Sequence, residues 1–130
     1  MTDISNAELV VMQVLWQTPN LSANEVVAAL DNGTEWHEKT VKTLLNRLVA
    51  KEALGFEKDG RAYLYYPLIA KQDYQQQQSR TFVERLFAGK ITPLVAGFAK
   101  QNKLKADDVA QLKQLIAHWE QEQEQEKKHD

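Results

Sequence analysis

The 130-residue chain contains no cysteine, which removes disulfides, thiolate metal sites and cysteine nucleophiles from consideration. No apolar run approaches the ~18 residues of a membrane span, and the amino terminus lacks a charged leader followed by a hydrophobic segment. The expectation is a cytoplasmic protein without membrane insertion. Catalytic and phosphate-binding patterns are missing as well: there is no glycine-rich phosphate loop, nucleophile elbow or strand-helix-strand repeat, and the carboxylates are scattered. His37-Glu38 begins like a zinc-protease signature, but the fifth position is Val41, and His118 and His129 have no second ligand at useful spacing. No catalytic residue, metal or cofactor is expected. Excess positive charge is lacking too. The net charge is −2, with six Lys or Arg against nine Asp or Glu in residues 1–70 and ten against nine in residues 71–130. Nucleic-acid binding would therefore have to rest on local placement of charge.

Such a placement exists between Thr40 and Lys51. Val41, Leu44, Leu45 and Leu48 recur at the spacing that stacks apolar side chains on one side of a helix. Lys39, Thr43, Asn46 and Ala50 fall on the opposite face, flanked by Lys42 and Arg47. From Lys39 through Lys51 there are four Lys or Arg and no acid, with Glu38 and Glu52 just outside. A face cleared of negative charge suits a helix laid against phosphates, although most basic-faced amphipathic helices are simply solvated. The segment after this helix favours the phosphate-facing reading. Asp59-Gly60 between strand formers is a hairpin signal, and Lys58 and Arg61 bracket it, giving a two-stranded wing with a basic tip.

Two helices precede this unit. Ser5-Asn6-Ala7-Glu8 and Ser22-Ala23-Asn24-Glu25 are capping boxes. The first opens a helix with Leu9, Val11, Met12, Leu15 and Trp16 inward, ended at Thr18-Pro19-Asn20. The second opens a helix with Val26, Val27 and Leu30 inward, stopped by Asp31-Asn32-Gly33. Trp36 is expected beside the third helix, which starts near His37 to Lys39. Tyr63, Tyr65 and Tyr66 are expected to pack the wing onto helices one and three. Together these features predict a mainly α fold with a small β-hairpin: a winged helix-turn-helix domain over residues 1–69.

Residues 70–130 read as a helical dimerisation region with a charged tail. The Gln75–Gln78 tract suits an exposed helix face. Phe82, Val83, Leu86 and Phe87 form an apolar stripe, Pro93 opens a short helix carrying Leu94, Val95 and Phe98, and Val109, Leu112, Leu115, Ile116 and Trp119 step through a last helix from about Ala106 to Gln121. From Glu120 to Asp130 the chain is charged and expected to fray. One copy offers little to bury these faces against, so a second copy is the expected cover, with Phe82, Leu86, Leu94, Phe98, Leu112, Ile116 and Trp119 at the interface. A monomer with these helices folded back on the wing domain is the competing arrangement.

The chain resembles the penicillinase-repressor family of bacterial winged-helix transcription factors, the BlaI/MecI type. The likeness runs from Ile4-Ser5-Asn6-Ala7-Glu8 and Val14-Leu15-Trp16, through Trp36 and the Lys39-to-Leu48 run KTVKTLLNRL, to Tyr65-Tyr66-Pro67-Leu68, and more weakly over Phe82 to Gly89 and the Leu112 region. The resemblance implies a homodimeric repressor on palindromic operator DNA, with DNA contacts at Lys39, Thr40, Lys42, Thr43, Arg47 and the wing-tip Arg61. It leaves room for a sensor protein as a further partner. In the antibiotic-resistance members a membrane sensor protease cuts between Asn and Phe in the segment resembling Ala96-Gly97-Phe98, and here Gly97 replaces that Asn. His37 stands where the family places Ser or a similar cap. The copper-responsive branch binds its metal through carboxy-terminal cysteines, a mode this chain excludes.

Against the DNA-binding reading stands a winged-helix module that uses the same surface to bind protein without DNA, which the acidic overall balance keeps open. An enzyme accessory subunit docking through the last helix is a weaker third reading. Salt dependence separates the first two, because each phosphate neutralised releases counterions.

Overall fold

A computed structural model of the chain describes residues 3–30 and 36–128. The elements in order are α1 (Asn6–Gln17), α2 (Ala23–Ala29), α3 (Glu38–Ala50), β1 (Leu54–Asp59), β2 (Ala62–Pro67), α4 (Lys71–Phe87), α5 (Thr92–Lys100) and α6 (Ala106–Lys128). They form two compact units, Met1–Gln78 and Ser79–Asp130.

In the first unit α1 and α2 begin as their capping boxes dictate. Ser5 and Ser22 accept from the amides of Glu8 and Glu25, whose carboxylates accept in return from the amides of the two serines. The start of α3 is capped differently. The His37 ring stands in for a hydroxyl, its Nδ1 accepting from the Lys39 amide at 3.2 Å. The end of α3 closes on itself: Glu52 N donates to Val49 O and Ala53 N to Leu48 O, with Glu52 at φ +63°. This is the reciprocal pair of a Schellman motif, in which Glu52 occupies the position that glycine usually takes. The Asp31-Asn32-Gly33 stop expected after α2 lies outside the described residues.

The core is the apolar side of the three helices. Val11, Met12, Leu15, Val26, Val41, Leu45 and Leu48 are fully buried, joined by Leu44, Ala53, Leu54 and Tyr65, with Trp36 half-buried against them. The wing is a two-stranded antiparallel sheet in which Phe56 faces Tyr65 and Lys58 faces Tyr63. A backbone bridge that the sequence does not announce attaches it to the helices: Tyr65 N donates to Leu21 O at 2.8 Å and Asn20 N to Tyr65 O at 2.9 Å. The start of α4 is held to α1, because Trp16 Nε1 donates to Ile69 O at 2.8 Å and the Trp16 ring meets that of Tyr74 at 5.8 Å.

Among the described residues, one ion pair of this unit has a buried member. Glu8, besides closing its cap, is buried, and its Oε1 receives Lys51 Nζ at 2.6 Å while the same ammonium donates to Asp3 O at 2.7 Å. By sequence Lys51 belongs to the basic stretch of the third helix. It instead reaches across to α1 while remaining 36% exposed, because a buried carboxylate without a cation is far costlier than a surface lysine held in place. Glu8 Oε2 has no hydrogen-bond partner among the described residues.

In the second unit Val83 is buried, Leu94, Val95, Leu104 and Leu112 are half-buried, and Phe82, Leu86, Ile91, Phe98, Leu115, Ile116 and Trp119 are exposed. Pro93 sits in the first turn of α5, as its missing amide allows. The fraying expected from Glu120 to Asp130 is corrected over the described residues: α6 continues to Lys128. Glu, Gln and Lys are strong helix formers, and no Gly or Pro interrupts them.

The buried pair gives the domain an acid limit. Burial works to raise the Glu8 carboxyl, but the hydrogen bond from Lys51 and those from Ser5 outweigh it and hold the group below its ordinary value. A carboxyl depressed by folding contributes stability above its unfolded pKa of ~4.3, and that contribution is lost as pH falls toward the folded value. Lys51→Met should cost ~2–3 kcal/mol at pH 7, by leaving the carboxylate buried alone. The deficit should shrink as pH is lowered through 5 to 4, measured by urea unfolding at each pH.

Candidate functional site

Helix α3 positions the site because its four buried leucine and valine anchors leave one side facing outward. Lys39, Thr40, Lys42, Thr43, Asn46 and Arg47 are all exposed, as are Lys58 and Arg61 on the hairpin. Only some of them line a common cleft. An open cleft of about 430 Å³ runs between the first turn of α2, the α3 side chains of Glu38, Lys42 and Asn46, and, on the hairpin, the loop residue Arg61 with Ala62, Tyr63 and Tyr65 of β2. Of the residues singled out in the sequence, this cleft brings together Lys42, Asn46 and Arg61. Lys39, Thr40, Thr43 and Arg47 stand on the remaining exposed strip of α3, where the Thr43 hydroxyl donates back to Lys39 O at 2.9 Å. Lys58 lies on β1 and does not line the cleft.

The bridge to Leu21 explains this geometry. It fixes the backbone of β2 beside the α1–α2 turn, so the residues just past the hairpin tip face α3 across a constant gap. The Tyr65 ring is buried, while its side chain forms part of the cleft wall. Burial pushes its phenol above the ordinary value, partly offset by the charge of Lys42 and reinforced by Tyr63. The tyrosine cluster therefore divides. Tyr65 enters the core as expected, Tyr66 is half-buried over Gly55, and Tyr63 does not pack onto helices one and three. Strand alternation puts Tyr63 on the face of Tyr65 but nearer the tip, where it lines the hollows beside Lys42, Asn46 and Val49 of α3 without entering the core. There it meets Phe56 edge-on at 5.2 Å, both rings nearly half exposed.

Two features of the cleft escape sequence reasoning. The first is the α2 contribution, Ser22, Ala23 and Asn24, which no local pattern connects to α3. The second is Glu38, which stands just beyond the basic stretch. It is the first residue of α3, lines the cleft, and pairs with Lys42 at 3.1 Å. The i, i+4 spacing of an acid ahead of a lysine is the signal that could have found it.

The model of one protein family, described as the penicillinase repressor, matches residues 4–118. The chain belongs to the penicillinase repressor family. Among individual relatives, the penicillinase repressor of Bacillus licheniformis is 35% identical over 113 residues, covering 87% of this chain and 88% of the relative. The methicillin resistance regulatory protein MecI of Staphylococcus aureus strain N315 is 29% identical over 114 residues, 88% of this chain and 93% of the relative. Among solved structures, the DNA-binding domain of the repressor BlaI is similar at 42% identity with a TM-score of 0.51, covering 56% of this chain and 89% of that domain. The family is one of transcriptional repressors rather than enzymes, and the fold is the winged helix followed by a helical region. Among the described residues no group of three His, Asp or Glu is arranged to hold a metal, and no helix is long and apolar enough to cross a membrane.

The wing tip depends on one glycine. With Asp59 opposite Ala62, the two-residue loop is Gly60-Arg61 rather than the Asp59-Gly60 suggested by the sequence, and Gly60 has φ +63°. Hairpins with a positive φ at the first loop position take glycine there. Gly60→Val should cost ~1–2 kcal/mol, since a β-branched residue is strained in that region, whereas Gly60→Asn should cost much less. Thermal unfolding of the two variants checks the difference.

Proposed function

We propose that the protein is a sequence-specific DNA-binding transcriptional repressor that acts as a homodimer on a palindromic operator. One observation carries the reading: the exposed side of α3, with Lys39, Thr40, Lys42, Thr43, Asn46 and Arg47, stands beside a wing whose Arg61 shares a cleft with Lys42. Similarity to the DNA-binding domain of BlaI, at 42% identity over 56% of this chain, supports the reading. In such a domain α3 enters the major groove while the wing lies along the backbone. Thr40, Thr43 and Asn46 are then near base edges, and Lys39, Lys42 and Arg47 reach phosphates or guanines. Lys58 and Arg61 position the protein on the duplex and carry no sequence information themselves.

Division of labour runs along the chain: residues 1–69 read DNA and residues 70–130 hold two copies together. The exposed apolar residues of the second unit support a partner for it. Leu86, Phe98, Ile116 and Trp119 are each between 46% and 60% exposed in the single chain, and large contiguous apolar surface usually marks an interface. A second copy is the economical partner, because two reading heads related by a two-fold axis engage two half-sites. A sensor protein that relieves repression is a further partner consistent with the family, and the cytoplasm is the corresponding location.

Selection of bound sequences from a random duplex pool tests the reading, and absence of any enriched motif would refute it. With a selected site in hand, Arg47→Ala should lose ~1–3 kcal/mol of discrimination if it reads a base. Arg61→Ala should weaken all duplexes alike and reduce the salt slope by about one. The protein should sediment or scatter light as a dimer at micromolar concentration, with Ile116→Glu and Trp119→Glu shifting it to monomer and weakening operator binding. A wild-type monomer would remove the dimer and the palindrome together.

A further inference from the structure

Glu38 poses a problem for the DNA-binding reading. Its carboxylate opens α3, is 45% exposed and lines the cleft that phosphates would approach. At physiological ionic strength charges interact over ~8 Å, so a carboxylate here opposes binding of any duplex unless something on the DNA receives it. The groove offers such groups only on base edges. In the major groove the cytosine N4 amino group is the usual donor to Glu or Asp, and guanine O6 and N7 are the usual acceptors from Lys or Arg.

We propose that Glu38 and Lys42 act together as a reader of one C·G base pair, Glu38 accepting from cytosine N4 and Lys42 donating to guanine O6 and N7. The proposal rests on the DNA-binding reading and sharpens it. Its geometry comes from the pair itself. The two residues are one turn apart on the same side of α3, and their charged ends lie 3.1 Å from each other. In a Watson–Crick pair the cytosine amino group and guanine O6 are joined by a hydrogen bond of ~2.9 Å. An acceptor and a donor held side by side on the helix thus meet a donor and an acceptor held side by side on the base pair at nearly the same spacing. The helix position also fits, because the first residues of a recognition helix are those that reach base edges. An A·T pair likewise sets a donor beside an acceptor. Beyond thymine O4, however, lies the C5 methyl, whereas beyond guanine O6 lies N7, a second acceptor for the ammonium. The intramolecular ion pair keeps Glu38 neutralised while the protein is free, and its exposed position lets both ends turn to the groove without disturbing the core.

Parallel selections from a random duplex pool with the wild-type protein, Glu38→Ala and Glu38→Gln test this. Glu38 is a surface residue, and matching circular dichroism confirms that the variants are folded. The wild type should enrich a cytosine at one position of each half-site. Glu38→Ala should lose that preference by roughly five-fold or more while binding random duplex as tightly or more tightly. Glu38→Gln should move the preference at the same position toward adenine, since an amide pairs with adenine N6 and N7. If all three proteins enrich the same motif and differ only by a uniform change in affinity, Glu38 is a surface ion-pair partner and the proposal is overturned. Loss of preference at a position the wild type reads as A or T overturns it as well. A wild type that enriches nothing refutes the DNA-binding reading itself, a result distinct from either.

Discussion

The arrangement of the amino-terminal unit depends on how one strand residue, Tyr65, is held. Its backbone exchanges two hydrogen bonds with the Asn20-Leu21 turn, and its ring is buried in the same core as Val41, Leu45 and Leu48. A two-stranded hairpin alone is marginal in water. Tied by its second strand to the turn before α2, and by its first strand to the end of α3, the hairpin becomes a rigid wall. The gap between that wall and α3 is thereby fixed, and Lys42 and Arg61 line one cleft although nineteen positions separate them.

Much of this is legible in the sequence because it depends on local periodicity and caps. The buried side of α3, both capping boxes and the hairpin each arise from spacing within a dozen residues. The misses share a different origin. The Leu21–Tyr65 bridge joins residues 44 apart by backbone atoms alone, which no side-chain pattern encodes. Lys51 reads as a cation free to face phosphates because its partner, Glu8, lies 43 positions away and already has a complete local role as a cap. Tyr63, Tyr65 and Tyr66 look like one cluster, but alternation and nearness to the tip give them three environments. Glu38 drops out when the basic stretch is bounded at Lys39, one residue inside the helix that the structure begins at Glu38. The expectation for α6 stops short because a charged, low-complexity tail is judged there by its lack of apolar residues rather than by helix propensity.

Charge placement reconciles an acidic chain with an anionic partner. The net charge of −2 is a sum over the whole molecule, whereas screening limits what a phosphate feels to charges within a Debye length. Within that radius of the cleft stand Lys42 and Arg61, with the neighbouring cations of α3 on the same exposed side. Pairing Lys51 with Glu8 neutralises one charge of the basic stretch and fastens the end of α3 to α1. On the proposed reading, affinity is traded there for a fixed helix.

On the proposed reading, a head with few cations and a carboxylate in its cleft binds DNA in general weakly, and this is an advantage when specificity is the requirement. Non-specific affinity scales with the number of phosphates neutralised, so a head of this kind stays only briefly on the many competing sites of a genome. Tightness must then come from elsewhere, and joining two heads provides it. Once one half-site is occupied, the second is bound at an effective concentration near millimolar, which multiplies overall affinity without any new contact. On the proposed dimer the apolar residues of the second unit supply that linkage. The consequence is that control need not act at the cleft at all: weakening the association of the second units returns each head to its own low affinity, and the DNA is released.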